Sequence, residues 1–147
     1  SILALDLGAT TGYCWLIEGR VVKSGIIKFP GVRVDRQSAL LRWLGPPFDW
    51  LSIAAVVYER PFCRGLHATR SLWGMAGVVE AVACGSAAVL DVNIQTVKKW
   101  AGPAGKSNKS AALDKCVDLG VIPVDDNHAD AVCLAFYALE HMEIAPK

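Results

Sequence analysis

Residues 2–13 read Ile-Leu-Ala-Leu-Asp-Leu-Gly-Ala-Thr-Thr-Gly-Tyr. The run Ile2–Leu7 is apolar except for Asp6, and Gly8-Ala9-Thr10-Thr11-Gly12 is turn chemistry. This predicts a buried first strand that delivers one carboxylate to its carboxyl end and then reverses. Tyr13–Glu18 and Val21–Phe29 have the character of strands, joined at Gly19-Arg20. The three make an antiparallel meander, which Pro30-Gly31 ends. A short helix is expected over Asp35–Leu44, stopped by Gly45-Pro46-Pro47.

Beyond the meander the pattern alternates. Ser52–Tyr58 is a continuous apolar run ending at Glu59, the mark of a strand covered on both faces. A helix over Leu66–Cys84, a strand over Ala87–Val92 and a helix over Asn93–Trp100 are expected next. Gly102-Pro103-Ala104-Gly105 forms a loop, and Ser110–Leu119 a helix with Gly120 just past its end. Asp125-Asp126 cap a last helix that runs to about His141, because acids suit a helix N-terminus. A meander followed by alternating strands and helices predicts an α/β fold, with a mixed sheet flanked by helices.

The bulk properties bound the reading. The chain has 147 residues, one domain's worth, so a single domain over 1–147 is expected. It is 53% hydrophobic and 20% charged, which excludes disorder. Mean hydropathy is +0.35, yet no run approaches the ~20 apolar residues that span a bilayer. No membrane partner is expected, and the apolar excess belongs to a core and an oligomer interface. The start has an acid where the apolar region of a signal peptide would continue. The five cysteines, Cys14, Cys63, Cys84, Cys116 and Cys133, are widely spaced with no CxxC pair. They fit core positions in a reducing compartment, here the cytoplasm. Net charge is +1, so a nucleic-acid partner would have to be met by a local patch.

The acids are distributed with a geometry. Asp6 and Glu59 end two buried strands, and Asp126 and Asp130 lie i,i+4 on the last helix. In open α/β sheets the carboxyl ends of strands meet at one crevice. Clustered carboxylates repel one another unless a cation neutralises them, and hard ions such as Mg²⁺ take oxygen ligands. Two such ions about 4 Å apart can clamp the attacking water and leaving oxygen of a phosphodiester. Taken singly, each acid is also an ordinary cap or strand-end residue.

These residues resemble a family. Leu5-Asp6-Leu7-Gly8-Ala9-Thr10-Thr11-Gly12-Tyr13 is similar to the first-strand motif of RuvC-type Holliday junction resolvases, a branch of the ribonuclease H-like nucleases. Val57-Tyr58-Glu59-Arg60-Pro61-Phe62 resembles their second motif. Val97-Lys98-Lys99 with Gly105-Lys106-Ser107-Asn108-Lys109 resembles their basic stretch, and Asp126-Asn127-His128-Ala129-Asp130-Ala131 their final acidic motif. The motifs come in family order over nearly the whole chain. The resemblance implies a five-stranded ribonuclease H-like fold. It implies a crossover junction endonuclease using two Mg²⁺ ions (or Mn²⁺) and no nucleotide cofactor. It also implies a phage or bacterial source, a homodimer and four-way or other branched DNA as partner. Asp6, Glu59 and Asp130 match the metal-binding acids. The family's fourth acid falls at Asn127, so Asp126 is taken as that ligand, with Asn127 or His128 as alternatives. His128 could instead act on the attacking water.

Between Arg60 and Lys109 seven basic residues, Arg60, Arg64, Arg70, Lys98, Lys99, Lys106 and Lys109, face only Glu80 and Asp91. Flexible ammonium groups around a Gly/Pro loop suit phosphate contacts without base readout. Phe62 follows Glu59 by three residues. The resemblance places there an aromatic that inserts near the crossover, where stacking on a base contributes about 1–3 kcal/mol. Trp73 and Trp100 are read as core or interface residues. The helix Leu66–Cys84 is apolar nearly all round, hence buried or shared between subunits. A four-way junction has two symmetry-related strands to cut, so a two-fold dimer is the geometric expectation.

Three other readings compete. A fold of the actin and sugar-kinase type also opens on Asp-Leu-Gly-Ala-Thr-Thr-Gly, but it needs two such domains around ATP. A non-catalytic DNA-binding module of the same fold is conceivable because of Asn127. A related nuclease acting on other branched DNA or on RNA–DNA hybrids is the third.

Overall fold

The computed structural model describes residues 1–45, 48–62, 65–102 and 108–144, without the side chains of Asn108 and Lys109. Five strands form one sheet: β1 Ile2–Asp6, β2 Thr10–Ile17, β3 Arg20–Lys28, β4 Ala55–Glu59 and β5 Ala88–Val92. Their spatial order is β3-β2-β1-β4-β5. β1–β2 and β2–β3 pair antiparallel, and β4 joins β1 and β5 in parallel. The described helices are α1 Arg33–Leu44, α2 Leu66–Ala83, α3 Ile94–Ala101, α4 Asn108–Asp118 and α5 Asp126–His141. The expected mixed sheet of a three-strand meander plus two parallel strands is present.

Two cores, one on each face, follow from the period-two alternation of the strands. Leu3 and Leu5 of β1, with Val56 and Tyr58 of β4, face α1 and α2 and meet Leu40, Met75 and Val79. Ile2, Ala4, Cys14 and Val57 face α5 and meet Ala131, Leu134, Ala135 and Ala138. Small side chains on both partners let α5 lie close over β1 and β2, where it makes most of its contacts with the sheet. Burial on both faces explains why β1 and β4 read as unbroken apolar runs rather than alternating ones.

Three expectations need correction. β2 begins at Thr10, so Gly12 is a strand residue opposite Asp6 rather than part of a turn. The turn is shorter: Thr11 Oγ1 donates to Gly8 O at 2.9 Å and accepts from Gly8 N–H at 3.2 Å, replacing ladder bonds within a few residues. β4 begins at Ala55, because Ser52–Ala54 run ahead of the paired register. Cys14, Cys116 and Cys133 are buried, but Cys84 is exposed at the end of α2, and Cys63 lies outside the described residues. Burial pushes the Cys14 and Cys133 thiols up to about 12, so both are inert core groups. Trp100 rests on α5, its Nε1 donating to Glu140 at 2.9 Å and its ring edge-on to Tyr137 at 6.0 Å. Trp73 is not core: it is 47% exposed. Among the described residues no helix is long and apolar enough to cross a membrane.

Candidate active site

The site begins with strand register. Leu5 of β1 stands beside Tyr58 of β4, and the strands are parallel, so Asp6 and Glu59 leave the sheet side by side at the same end. The helix α5 supplies the next acids. Asp125 caps it, Oδ1 accepting from His128 N–H at 2.9 Å, which sets Asp126 in the first turn and Asp130 one turn on.

What brings α5 to that end is Gly12. A Cβ built there would lie 1.8 Å from the Asn127 carbonyl oxygen and 2.4 Å from its carbon. Only a residue with no side chain lets the first turn of α5 cross β2 beside Asp6. The result is one cleft of about 440 Å³, lined among others by Asp6, Glu59, Phe62, Lys98, Asp126 and Asp130, with Asn127 also on its wall.

The electrostatics are those of crowded acids. Burial, then the charges of Glu59 and Asp130, hold the Asp6 carboxyl well above the usual carboxylate range, and only Lys98 pulls the other way. Among the described residues no three such side chains are gathered into a ready-made metal cage. Even so, the donor set is all oxygen and short of positive charge, which suits a hard divalent cation. A bound cation would relieve the mutual repulsion of these carboxylates.

The other anticipated residues divide. Phe62 is at the rim and 71% exposed, so it is not a core residue, while Pro61 beneath it is buried. Arg60 lines the cleft, but its guanidinium is engaged by Asp91 on β5. Lys98 turns into the cleft toward the acids rather than outward, and Lys99 is exposed on α3 outside the cleft lining. Arg64 and Lys106 lie outside the described residues, as does the side chain of Lys109.

His128 is not brought to the cleft. It is 3% exposed, with Nδ1 accepting from Val124 N–H at 3.1 Å and Nε2 2.9 Å from Ser24 Oγ. Both ring nitrogens are used to tie α5 to the preceding loop and to β3. Burial lowers its pKa, favouring the neutral ring, so it is a structural residue rather than a group for the attacking water. Of the alternatives for the fourth ligand, Asp126 and Asn127 line the cleft and His128 does not. Sequence reasoning missed Gly12 as the residue that admits α5. It also missed a second hollow, lined by Asn93, Ile94 and Gln95, on the far side of Phe62.

The fold is ribonuclease H-like. Thermus thermophilus RuvC in complex with a Holliday junction substrate superposes with a TM-score of 0.75 at 18% identity, covering 95% of each chain. A second Thermus thermophilus RuvC structure gives a TM-score of 0.69 at 18% identity, again over 95% of each chain. The chain thus shares the fold of the RuvC-type resolvases over nearly its full length. No family model matches the sequence, and no curated protein matches it.

Proposed function

We propose that this chain is a metal-dependent endonuclease that resolves four-way DNA junctions by paired symmetric nicks. The observation that carries this reading is the convergence of Asp6, Glu59, Asp126 and Asp130 on one cleft, reached from two strands and a helix. It is supported by likeness to a structure described as RuvC in complex with Holliday junction substrate.

Asp6, Glu59 and Asp130, with Asp126 as the fourth, are the residues that would hold two Mg²⁺ or Mn²⁺ ions. Such ions, when bound, supply a water of lowered pKa and charge stabilisation for the leaving oxygen. The chain's own residues do the rest. Lys98 holds a phosphate oxygen at the cleft floor, where its charge already offsets that of Asp6. Lys99, with Arg64, Lys106 and Lys109, holds the flanking backbone without reading sequence. Phe62, exposed on a buried proline, stacks on a base at the branch point and offsets part of the cost of unstacking. A homodimer formed through α2 sets two such clefts on the two symmetry-related strands. The products carry 5′-phosphate and 3′-hydroxyl ends, and the reaction belongs to the cytoplasm of a bacterial host or phage-infected cell.

The test is a synthetic four-way junction beside a linear duplex of the same sequence, with and without Mg²⁺. Selective, symmetric, Mg²⁺-dependent nicking of the junction is expected. Equal cutting of both substrates would refute junction selectivity. A second reading, a binding module without activity, draws on Asn127 occupying the cleft wall. It would be favoured by tight junction binding with no nicking in Mg²⁺ or Mn²⁺.

A further inference from the structure

The outermost strand of the sheet has a charge bias that the acidic cleft does not explain. From Arg20 to Arg42 stand six cations, Arg20, Lys23, Lys28, Arg33, Arg36 and Arg42, and one acid, Asp35. The excess is steeper than that between Arg60 and Lys109, and it falls in less than half the length. Arg20, Lys23 and Lys28 are exposed on β3, which is paired to β2 and ends the sheet. Among the described residues none of the three has an ion pair.

The acids close by are already used. Asp35 accepts the Val32 N–H at 3.0 Å and holds the start of α1. Asp125, which α5 brings toward β3 through the His128–Ser24 contact, accepts from His128 N–H at 2.9 Å and from the Asn127 amide at 3.3 Å. Glu18, exposed in the turn before Arg20, opposes the cations only at the far end. An edge strand needs charge to keep it from pairing with another chain, but either sign serves that purpose. One sign without counter-charges marks a surface for a polyanion.

The placement says which polyanion. Lys28 stands opposite Thr10 in the β2–β3 ladder, and Phe29 N–H donates to Ala9 O at 2.7 Å. Ala9 and Thr10 are wall residues of the acidic cleft, so the Lys28 end of β3 opens onto it. From there the nine residues of β3 run away from the cleft to Arg20, a span of about 27 Å at ~3.4 Å per residue. Duplex DNA rises about 3.4 Å per base pair, so the strand matches about eight base pairs. α2 meets the sheet at β4 and β5, so a dimer through α2 leaves the β3 edge outermost, where a junction's arms depart.

We infer that the outer edge of β3 is a track for one duplex arm of the junction, which leaves the cleft over Lys28 and runs past Lys23 toward Arg20. The inference rests on the nuclease reading given above, and deepens it by assigning the surface that holds an arm. The contacts are to phosphates, from lysine and arginine side chains and from the outward backbone N–H groups of the edge, so the track does not read sequence.

The experiment measures binding without divalent metal over a salt series. It uses four-way junctions in which either pair of opposite arms is shortened from about twelve base pairs to about four and closed by a hairpin. Arg20→Gln, Lys23→Gln and Lys28→Gln combined remove three exposed charges, whereas Lys23→Arg with Lys28→Arg keeps them. On the full junction the Gln variant is expected to bind on the order of tenfold more weakly, with the salt slope lowered by about two to three units. Shortening one pair of arms should bring wild type down to the level of the Gln variant and leave that variant unchanged. The Arg variant should follow wild type throughout. Wild type that loses nothing when either pair is shortened, an unchanged salt slope in the Gln variant, or an equal loss on full and shortened junctions overturns the track while leaving the nuclease reading intact. Wild type that neither binds nor cuts any junction overturns both.

Discussion

Helices α2 and α5 are similar in composition and opposite in use. In α5 eight side chains are buried, from His128 to Ala138, and the helix lies across the middle of the sheet. In α2, two residues longer at 18, only Met75, Ala76, Val79 and Ala83 are buried, and contact with the sheet is slight. Tyr58 of β4 donates to Glu80 and so ties α2 to the sheet, but the opposite face stays open. Leu66 is 68% and Trp73 47% exposed, and a Cβ added at Gly77 would meet nothing within 4 Å. Apolar content alone therefore does not say which helix completes the core. The helix whose approach is licensed by small residues and one glycine becomes core. The helix with bulky outward groups keeps an exposed apolar face.

The largest expected effect tests the first half of that contrast. Gly12→Ala should displace the first turn of α5, because its Cβ has nowhere to go against the Asn127 carbonyl. A loss of about 3 kcal/mol or more in chemical denaturation is expected, with cleavage lost too. Unchanged stability would mean that α5 is not seated on β2 as described.

Asp6→Asn comes next, and separates chemistry from fold at the end where α5 meets the sheet. Cleavage should fall on the order of 10³-fold, as expected when several kcal/mol of transition-state charge stabilisation is removed at about 1.4 kcal/mol per decade. Junction binding should persist or tighten. The melting temperature of the metal-free protein should rise, because a carboxyl buried against Glu59 and Asp130 loses its charge. Retained cleavage would remove Asp6 from the metal-binding set.

On α2, Trp73→Glu should leave denaturant stability within about 0.5 kcal/mol when both proteins are compared as monomers at high dilution, as for an exposed position. The same variant should shift sedimentation from dimer to monomer and lose symmetric nicking. A dimer undisturbed by this charge would place the subunit contact elsewhere. The smallest effect is expected from Lys99→Ala on exposed α3: weaker junction binding, with the salt dependence reduced by about one unit of slope. An unchanged slope would take Lys99 out of the DNA surface.

How much could be read before folding depended on how local the cause was. Asp6 and Glu59 stood out because each interrupts or ends an apolar run, and strand pairing then sets them side by side. Helix boundaries came within a few residues because caps are local: Asp125 binds His128 N–H three positions on. The turn assignment at Gly12 failed because its glycine answers to a helix more than a hundred residues away. His128 was misjudged for the same reason, since Ser24 is 104 residues distant in the chain. The basic residues were counted correctly as a group. Yet nothing in the chain order tells Lys98, turned toward the acids, from Arg60, engaged by Asp91.

By itself the sequence determined the alternation of elements, and with it a mixed sheet bearing an acid at the end of each of two buried strands. Periodicity and capping are written residue by residue, and they need no distant partner. Only the tertiary structure decided which acids share a cleft, which histidine is structural, which lysine faces inward and which helix keeps an open apolar face. Each of those depends on contacts between residues far apart in the chain, where packing space and local charge, rather than residue type, select the outcome.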